Sequence, residues 1–279
     1  MIKACVIGWP IAHSRSPMIH GYWLREYRID GSYEKIAVPP DEIESFLRGL
    51  GSEGFAGANV TLPYKEVALQ VADNSDEAAR AIGAANTLWI TEDGRLQASN
   101  TDAYGFMTHL QDSAPALGLE GATAMLLGAG GAARAIAYGL KEAGVSRIVV
   151  ANRTEARAES LVEAFGDRLE TVAWDDKSEA LQDCALLVNT TSLGMKGQPP
   201  LDISLKHLPR NSVVADIVYN PLETPLLAAA RGRGNVCVDG LGMLLHQAVP
   251  GFERWFGVRP EVTQELRDLV VTDLEAQGG

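Results

Sequence analysis

At 279 residues, with 46% apolar and 22% charged positions, the chain is long enough for two ordinary domains with buried cores. No apolar run reaches the ~18 residues of a membrane span. The formal charge of −12 argues against a nucleic-acid partner, but not against a small anion, because a local cluster of cations governs a cleft more than the global sum does. Cys5, Cys184 and Cys237 are scattered through apolar stretches, which argues against a disulfide framework or a cysteine metal site and fits the cytoplasm. Met1–Gly8 runs straight into a strand, which points away from a signal peptide.

In the first half, strands are predicted at Ala4–Gly8, Tyr33–Val38, Phe55–Val60 and Thr87–Thr91, with helices at Pro17–Tyr27 and Asp41–Leu50 between them. Short strand–helix alternation predicts an open, mostly parallel α/β sheet with helices on both faces. The first strand leads through Gly8-Trp9-Pro10-Ile11-Ala12-His13-Ser14-Arg15-Ser16-Pro17 into the first helix. Ser14 or Ser16 can cap that helix. Two serines one residue apart can instead grip a carboxylate with help from the helix dipole. His13 and His20 have no cysteine or acid at metal-like spacing, and no metal is expected.

After the third strand, Asn59-Val60-Thr61-Leu62-Pro63-Tyr64-Lys65 opens a helix at Pro63. Thr61 is near its cap, and Lys65 falls in its first turn, where a cation opposes the dipole. A lysine placed there, at the ligand edge of a sheet, is a functional suspect beside the plainer reading of a solvated side chain. Ala84-Ala85-Asn86-Thr87 and Asn100-Thr101-Asp102 are polar punctuation next to strands, with Asp102 able to cap the helix that follows.

The second half carries strand cores at Ala124–Leu127, Ile148–Ala151, Ala185–Val188, Val213–Ala215 and Val236–Val238. Two helices are predicted after them, Leu241–Trp255 and Pro260–Ala276, the last with Leu266, Leu269, Val270 and Leu274 on one face. Its first strand runs into Gly128-Ala129-Gly130-Gly131-Ala132-Ala133-Arg134. This Gly-rich turn before an Ala-rich helix allows close approach of a pyrophosphate to the helix N-terminus. An NAD site wants an acid ~20 residues on, at the end of the next strand, to take the ribose hydroxyls. Asn152, Arg153 and Thr154 stand there instead, with Arg157 one turn later, a cluster suited to a 2′-phosphate. The cofactor predicted is NADP(H). Strands in both halves end in small and polar residues (Gly8, Asn59-Val60-Thr61, Asn189-Thr190-Thr191, Asp216 and Asp239-Gly240), which suggests a cleft between two ligand-binding edges.

Taken together, these runs closely resemble the shikimate dehydrogenase family. The resemblance is carried in order by Gly8–Pro17 with Ser-x-Ser-Pro, Asn59-Val60-Thr61-x-Pro63-x-Lys65, Gly83-Ala84-Ala85-Asn86-Thr87 and Asn100-Thr101-Asp102-x-x-Gly105. It continues through Gly128–Arg134, Asn152-Arg153-Thr154, Asn189-Thr190-Thr191-Ser192-x-Gly194-Met195, Asp216-x-x-Tyr219 and Gly240-Leu241-Gly242-Met243-Leu244-x-x-Gln247-Ala248. Trp9 is bulkier than the pattern leads one to expect, and Gly21 ends the first motif where a polar residue is common.

The resemblance implies a substrate domain over residues 1–102 plus 240–279 and a Rossmann-type NADP domain over 103–239, with the C-terminal helices returning to the first. NADPH would reduce 3-dehydroshikimate reversibly to shikimate, in aromatic amino-acid biosynthesis. Ser14, Ser16 and Tyr219 would hold the carboxylate, while Thr61, Asn86 and Gln247 would hold ring hydroxyls. Lys65 and Asp102 would flank the reacting oxygen, and Glu77, Ile217 and Gly240 would approach the nicotinamide end. Charge that builds on that oxygen needs a donor, and Lys65 can supply it while Asp102 orients the lysine. A quinate or broad quinate/shikimate dehydrogenase would share nearly every motif. A non-catalytic NADP sensor would need neither Lys65 nor Asp102, and a folate-linked methylene dehydrogenase has no use for the paired serines. The expected partner is a small molecule, with no nucleic acid and no membrane, and the assembly is left open between monomer and homodimer.

Overall fold

A computed structural model describes residues 1–276. The chain divides into two compact units, one of residues 1–102 with the chain from 245 on, the other Ala103–Leu244. The second crossing falls between Leu244 and Leu245, a few residues beyond the Asp239-Gly240 junction expected from sequence.

The first unit contains β1 (Ile2–Gly8), α1 (Ser16–Glu26), β2 (Gly31–Ala37), α2 (Ile43–Gly49), β3 (Phe55–Val60), α3 (Lys65–Val71), β4 (Asn74–Ser75), α4 (Glu77–Ile82), β5 (Thr87–Ile90) and β6 (Leu96–Ser99). Its sheet runs β2-β1-β3-β5-β6-β4. β1 pairs in parallel with β2 and β3, and β4 with β6, but β5 is antiparallel to both neighbours. The sheet is therefore more mixed than the alternation predicts. The cause is local: β5 and β6 are joined by a short turn around Gly94 (φ 80°), which permits only a hairpin. Along β1 successive side chains alternate between faces, and Cys5 and Ile7 pack with Ala58, Val60, Ile43, Leu47 and Ala68. An aromatic group is also built in this unit, with Trp23, Phe252, Trp255 and Phe256 in edge or tilted contacts and His20 stacked on Tyr33 at 3.9 Å.

The second unit holds α5 (Asp102–Ser113, beginning on the last residue of the first unit), β7 (Thr123–Leu127), α6 (Gly131–Glu142), β8 (Arg147–Ala151), α7 (Glu155–Phe165) and β9 (Leu169–Val172). It continues through β10 (Leu186–Asn189), β11 (Val213–Asp216), α8 (Pro225–Gly232), β12 (Val236–Val238) and the start of α9 (Gly240–His246). Its six strands run β12-β11-β10-β7-β8-β9, with every pairing parallel. This is the doubly wound order, with its switch point between β7 and β10. Alternation along the strands divides the core into two layers. Ala124, Leu126, Ile148, Val150, Leu186 and Val188 face α6 and α7 residues such as Ile136, Leu140 and Leu161. Met125, Leu127, Val149, Leu187 and Val214 face Leu205, Leu226 and Leu227 on the other side. Strands buried on both faces read as continuous apolar runs, which makes them legible in the sequence.

The single helix predicted over Leu241–Trp255 is two, α9 and α10 (Val249–Phe256), because Pro250 lacks the amide needed to continue the first into the second. The last helix, α11, spans Gln264–Ala276 rather than starting at Pro260. Leu266, Val270 and Leu274 are buried along one ridge at four-residue spacing, whereas Leu269 lies off that ridge and is exposed. Among the described residues no helix is long and apolar enough to cross a membrane.

Candidate active site

In the first unit the two loops of interest leave neighbouring strands. β1 and β3 pair side by side, and beyond them the Thr61 amide donates to Ile7 O at 2.9 Å and the Trp9 amide to Leu62 O at 3.2 Å. Gly8 is required at this approach, since a Cβ there would stand 2.6 Å from Thr61 Cγ2. The Ser14-x-Ser16 loop and the Thr61–Lys65 loop are thereby placed side by side.

α1 is not capped as predicted. Its cap position is Arg15, with no side-chain cap bond, while Ser14 Oγ accepts the Ser16 amide at 3.3 Å and Ser16 is buried. α3 starts at Lys65 rather than Pro63, and its cap position, Tyr64, makes no side-chain bond. Thr61 is therefore not a capping residue; its carbonyl receives the Tyr64 amide and its side chain lies against Gly8.

Lys65 stands on the first residue of α3 and meets the acid that offsets its poor position on the dipole. Lys65 Nζ donates to Asp102 Oδ2 at 2.5 Å, with side-chain exposures of 26% and 12%. Asp102 does not spend its carboxylate on a cap either. Its Oδ1 accepts Asn86 Nδ2 at 2.9 Å, and its own amide is taken by Asn100 Oδ1 at 3.0 Å. The second Asn86 amide hydrogen goes to Gln247 Oε1 at 3.2 Å, and Asn86 Oδ1 accepts the Thr101 amide at 2.8 Å. Thr101 Oγ1 ties the group to Gln247 O at 2.8 Å. Lys65, Asp102, Asn86 and Gln247, drawn from four separate stretches of the chain, form one hydrogen-bonded cluster. A substrate hydroxyl that binds Asn86 must displace the long contact to Gln247, since both Asn86 donors are already used.

Behind this cluster lies a buried relay through Tyr33, Asn59 and Thr87. Tyr33 Oη donates to Asn59 Oδ1 at 2.6 Å, Asn59 Nδ2 reaches Thr87 Oγ1 at 3.2 Å, and Thr87 Oγ1 reaches Asn86 Oδ1 at 3.0 Å. Buried polar side chains that satisfy one another lock their rotamers, so Asn59, Thr87, Asn100 and Thr101 orient the acid and amide in front of them. The signal in the sequence is the recurrence of Asn and Thr at the ends of apolar strands.

In the second unit the Gly-rich turn lies at the switch point. Gly128 has φ 108°, and a Cβ on it would be 2.6 Å from Thr190 Oγ1, on the loop after β10. Gly130 and Gly131 have open space where a Cβ would stand, and no side chain caps α6. Exposed first-turn amides beside two bare glycines, with Ala129 and Ala132 flanking them half-buried, fit a dinucleotide pyrophosphate. At the end of β8, Asn152 Nδ2 closes the turn onto Thr154 O at 2.7 Å, and Thr154 takes the cap position of α7. Arg153 and Arg157 are exposed there, and neither forms an ion pair among the described residues. Ile217 and Gly240 meet, because a Cβ on Gly240 would lie 2.2 Å from Ile217 O. Glu77 belongs to the first unit, exposed at the start of α4, and Tyr219 lies half-buried on the loop after β11.

That loop is held by Asp216, one of the polar residues at the strand ends of the second unit. Its Oδ1 accepts Asn189 Nδ2 at 2.9 Å and the Val218 amide at 3.0 Å, and its Oδ2 accepts Thr224 Oγ1 at 2.7 Å. Burial outweighs these bonds and pushes its pKa up to about 6. The folded chain therefore takes up a proton as pH falls through 6, while the unfolded carboxyl stays ionised down to its ordinary range. Stability from this group rises as pH falls from about 7 to about 4, by about 3 kcal/mol in full. Urea denaturation at several pH values is expected to show the wild-type stability gaining on that of Asp216→Asn across this window. A constant difference between the two would show that Asp216 does not titrate there.

Residues 6–88 match the shikimate dehydrogenase substrate-binding domain, 111–195 match shikimate/quinate 5-dehydrogenase, and 240–264 match the shikimate 5′-dehydrogenase C-terminal domain. A shikimate dehydrogenase (NADP⁺) of Methylobacterium radiotolerans is 59% identical over 274 residues, 98% of this chain and 97% of that one. The chain belongs to the shikimate dehydrogenase family. Among solved structures, the Thermus thermophilus enzyme in complex with NADP(H) and shikimate is 36% identical, with a TM-score of 0.85 and 99% of each chain covered. A quinate dehydrogenase of Corynebacterium glutamicum in complex with NAD is 30% identical, with a TM-score of 0.90 over 97% of this chain and 99% of that one.

Proposed function

We propose that this chain is an NADP-dependent shikimate dehydrogenase, interconverting 3-dehydroshikimate and shikimate. The observation that carries the reading is the Lys65–Asp102 ion pair with Asn86 and Gln247 bonded around it. Gly128–Ala132 with Asn152, Arg153, Thr154 and Arg157 would hold NADP(H), which when bound would supply or accept the hydride. Glu77, Ile217 and Gly240 are assigned to its nicotinamide end on the family's pattern.

The protein's own part is to bind the ring and to manage one proton. Lys65 Nζ donates to the ring oxygen as negative charge builds on it, and takes the proton back in the oxidative direction. Asp102 holds the ammonium through Oδ2, and Asn86 holds Asp102 through Oδ1, so the donor stays aimed at one point. Thr61, Asn86 and Gln247 are assigned to the ring hydroxyls. Ser14 and Ser16 are assigned to the carboxylate, with Tyr219 added on the family's pattern. A cytoplasmic location is part of the proposal, supported by three unpaired cysteines.

A second reading, quinate oxidation with NAD, is favoured by the close structural likeness to the Corynebacterium glutamicum enzyme. The two exposed arginines at the end of β8 support NADP instead. Initial rates with shikimate and with quinate, each with NADP and with NAD, decide between them. Shikimate with NADP is expected to give the highest kcat/KM, and a higher value for quinate with NAD would replace the first reading with the second.

A further inference from the structure

Arg15 stands between the two serines, and it is a poor residue for its position. The cap of a helix favours Ser, Thr, Asp or Asn, and a cation there opposes the dipole. The guanidinium is nonetheless engaged. Nε donates to Asp273 Oδ2 at 3.0 Å, and Nη1 donates to His13 O at 2.7 Å. The Arg15 and Asp273 side chains are only 10% and 22% exposed, so the pair is weakly screened. Asp273 lies 258 residues away on α11, beside the buried Leu274, and α11 packs against α1. On the other side of the loop Lys35 Nζ donates to Ala12 O at 2.7 Å. The carbonyls of residues 12 and 13, immediately before Ser14, are thus each held by a cation, and one of those cations is fixed to the last helix.

From this arrangement we infer that Arg15 and Asp273 are a positioning pair for the substrate carboxylate. The final helix sets the conformation of the Ser14-x-Ser16 loop and so the affinity for shikimate, without touching the substrate. The inference rests on the reading of Ser14 and Ser16 as the carboxylate cradle. Loss of Asp273 removes the guanidinium's bond to α11, and the loop must then be ordered when substrate binds, which weakens binding but leaves the reacting groups in place.

The test uses the full chain and steady-state kinetics. Asp273→Ala is expected to raise KM for shikimate about tenfold, the scale of one charge-assisted hydrogen bond. Turnover at saturating shikimate and KM for NADP are expected to stay within about twofold of wild type. Asp273→Glu, which keeps the carboxylate, is expected to recover most of the loss. Val270→Ala removes packing from the same helix without touching Arg15, and is expected to lower the melting temperature yet leave KM for shikimate unmoved. An unchanged KM in Asp273→Ala overturns the inference, as does an equal rise in Val270→Ala, which would mean that only the helix's packing matters. A wild-type chain without NADP-linked shikimate oxidation overturns the functional reading, and this inference falls with it.

Discussion

Lys65→Ala is expected to lower turnover by roughly 10²-fold or more, the scale of general acid–base catalysis. The variant should fold, because the lysine side chain is partly exposed and Asp102 keeps its bonds to Asn86 and to the Lys65-independent turn at Asn100. Asp102 calls for a gentler substitution. The residue is buried, and truncation to alanine would leave an Asn86 amide hydrogen without its acceptor. Asp102→Asn keeps Oδ1 for Asn86 and turns an amide toward the ammonium, which repels Lys65 from its aim. A loss comparable to that of Lys65→Ala is expected. The double variant should lose far less than the product of the two, as groups acting as a unit do. Multiplicative losses would show that the two residues work separately. Near-normal turnover of folded Lys65→Ala would remove the proton-transfer role altogether.

Arg153→Ala should weaken NADP binding by roughly tenfold to a hundredfold while NAD binding stays close to wild type. The reason is geometric. Asn152 spends its amide on closing the turn, so the cationic part of the cluster at the end of β8 is Arg153 with Arg157 one turn on. Both are exposed, and neither is engaged in an ion pair among the described residues. A 2′-phosphate is the group that separates the two cofactors, and a guanidinium matches it through paired N–H bonds. Isothermal titration with both cofactors measures the difference directly. Equal weakening of NADP and NAD would move the arginine from phosphate recognition to the general shape of the turn.

Much of this protein is legible from local pattern. The parallel sheet of the second unit can be read because Met125–Leu127, Ile148–Ala151 and Leu186–Val188 are apolar on both faces and end in glycine or polar residues. The Gly128 turn is readable for a related reason, since the need for positive φ and close approach leaves a glycine in the sequence. In the first unit the strand at Thr87 is legible, but its antiparallel pairing with Leu96–Ser99 is not, because a four-residue strand is too short to carry a periodicity of its own.

Side-chain roles are harder to read than elements. Ser16, Thr61 and Asp102, each near a helix start, all invite a capping interpretation, and the capping rules are correct about what such residues do in isolation. Tertiary competition decides otherwise. Asp102 finds an ammonium at 2.5 Å, a stronger partner than its own helix offers, and a side-chain amide at 2.9 Å. Asn86 and Gln247, 161 positions apart, carry no mark in the sequence that they bond to each other.

The sequence by itself determined the class of fold and the glycine turn at the end of β7, and named the candidate groups for chemistry, because periodicity, glycine conformation and charge type are properties of short segments. Tertiary structure alone decided which of those groups meet. The ion pair of Lys65 with Asp102, the grip of Asn86 on that acid, and the tie of Arg15 to Asp273 across 258 residues depend on strand order and helix packing. Hydrogen bonds act over about 3 Å, and no spacing along a chain encodes a distance that short between segments so far apart.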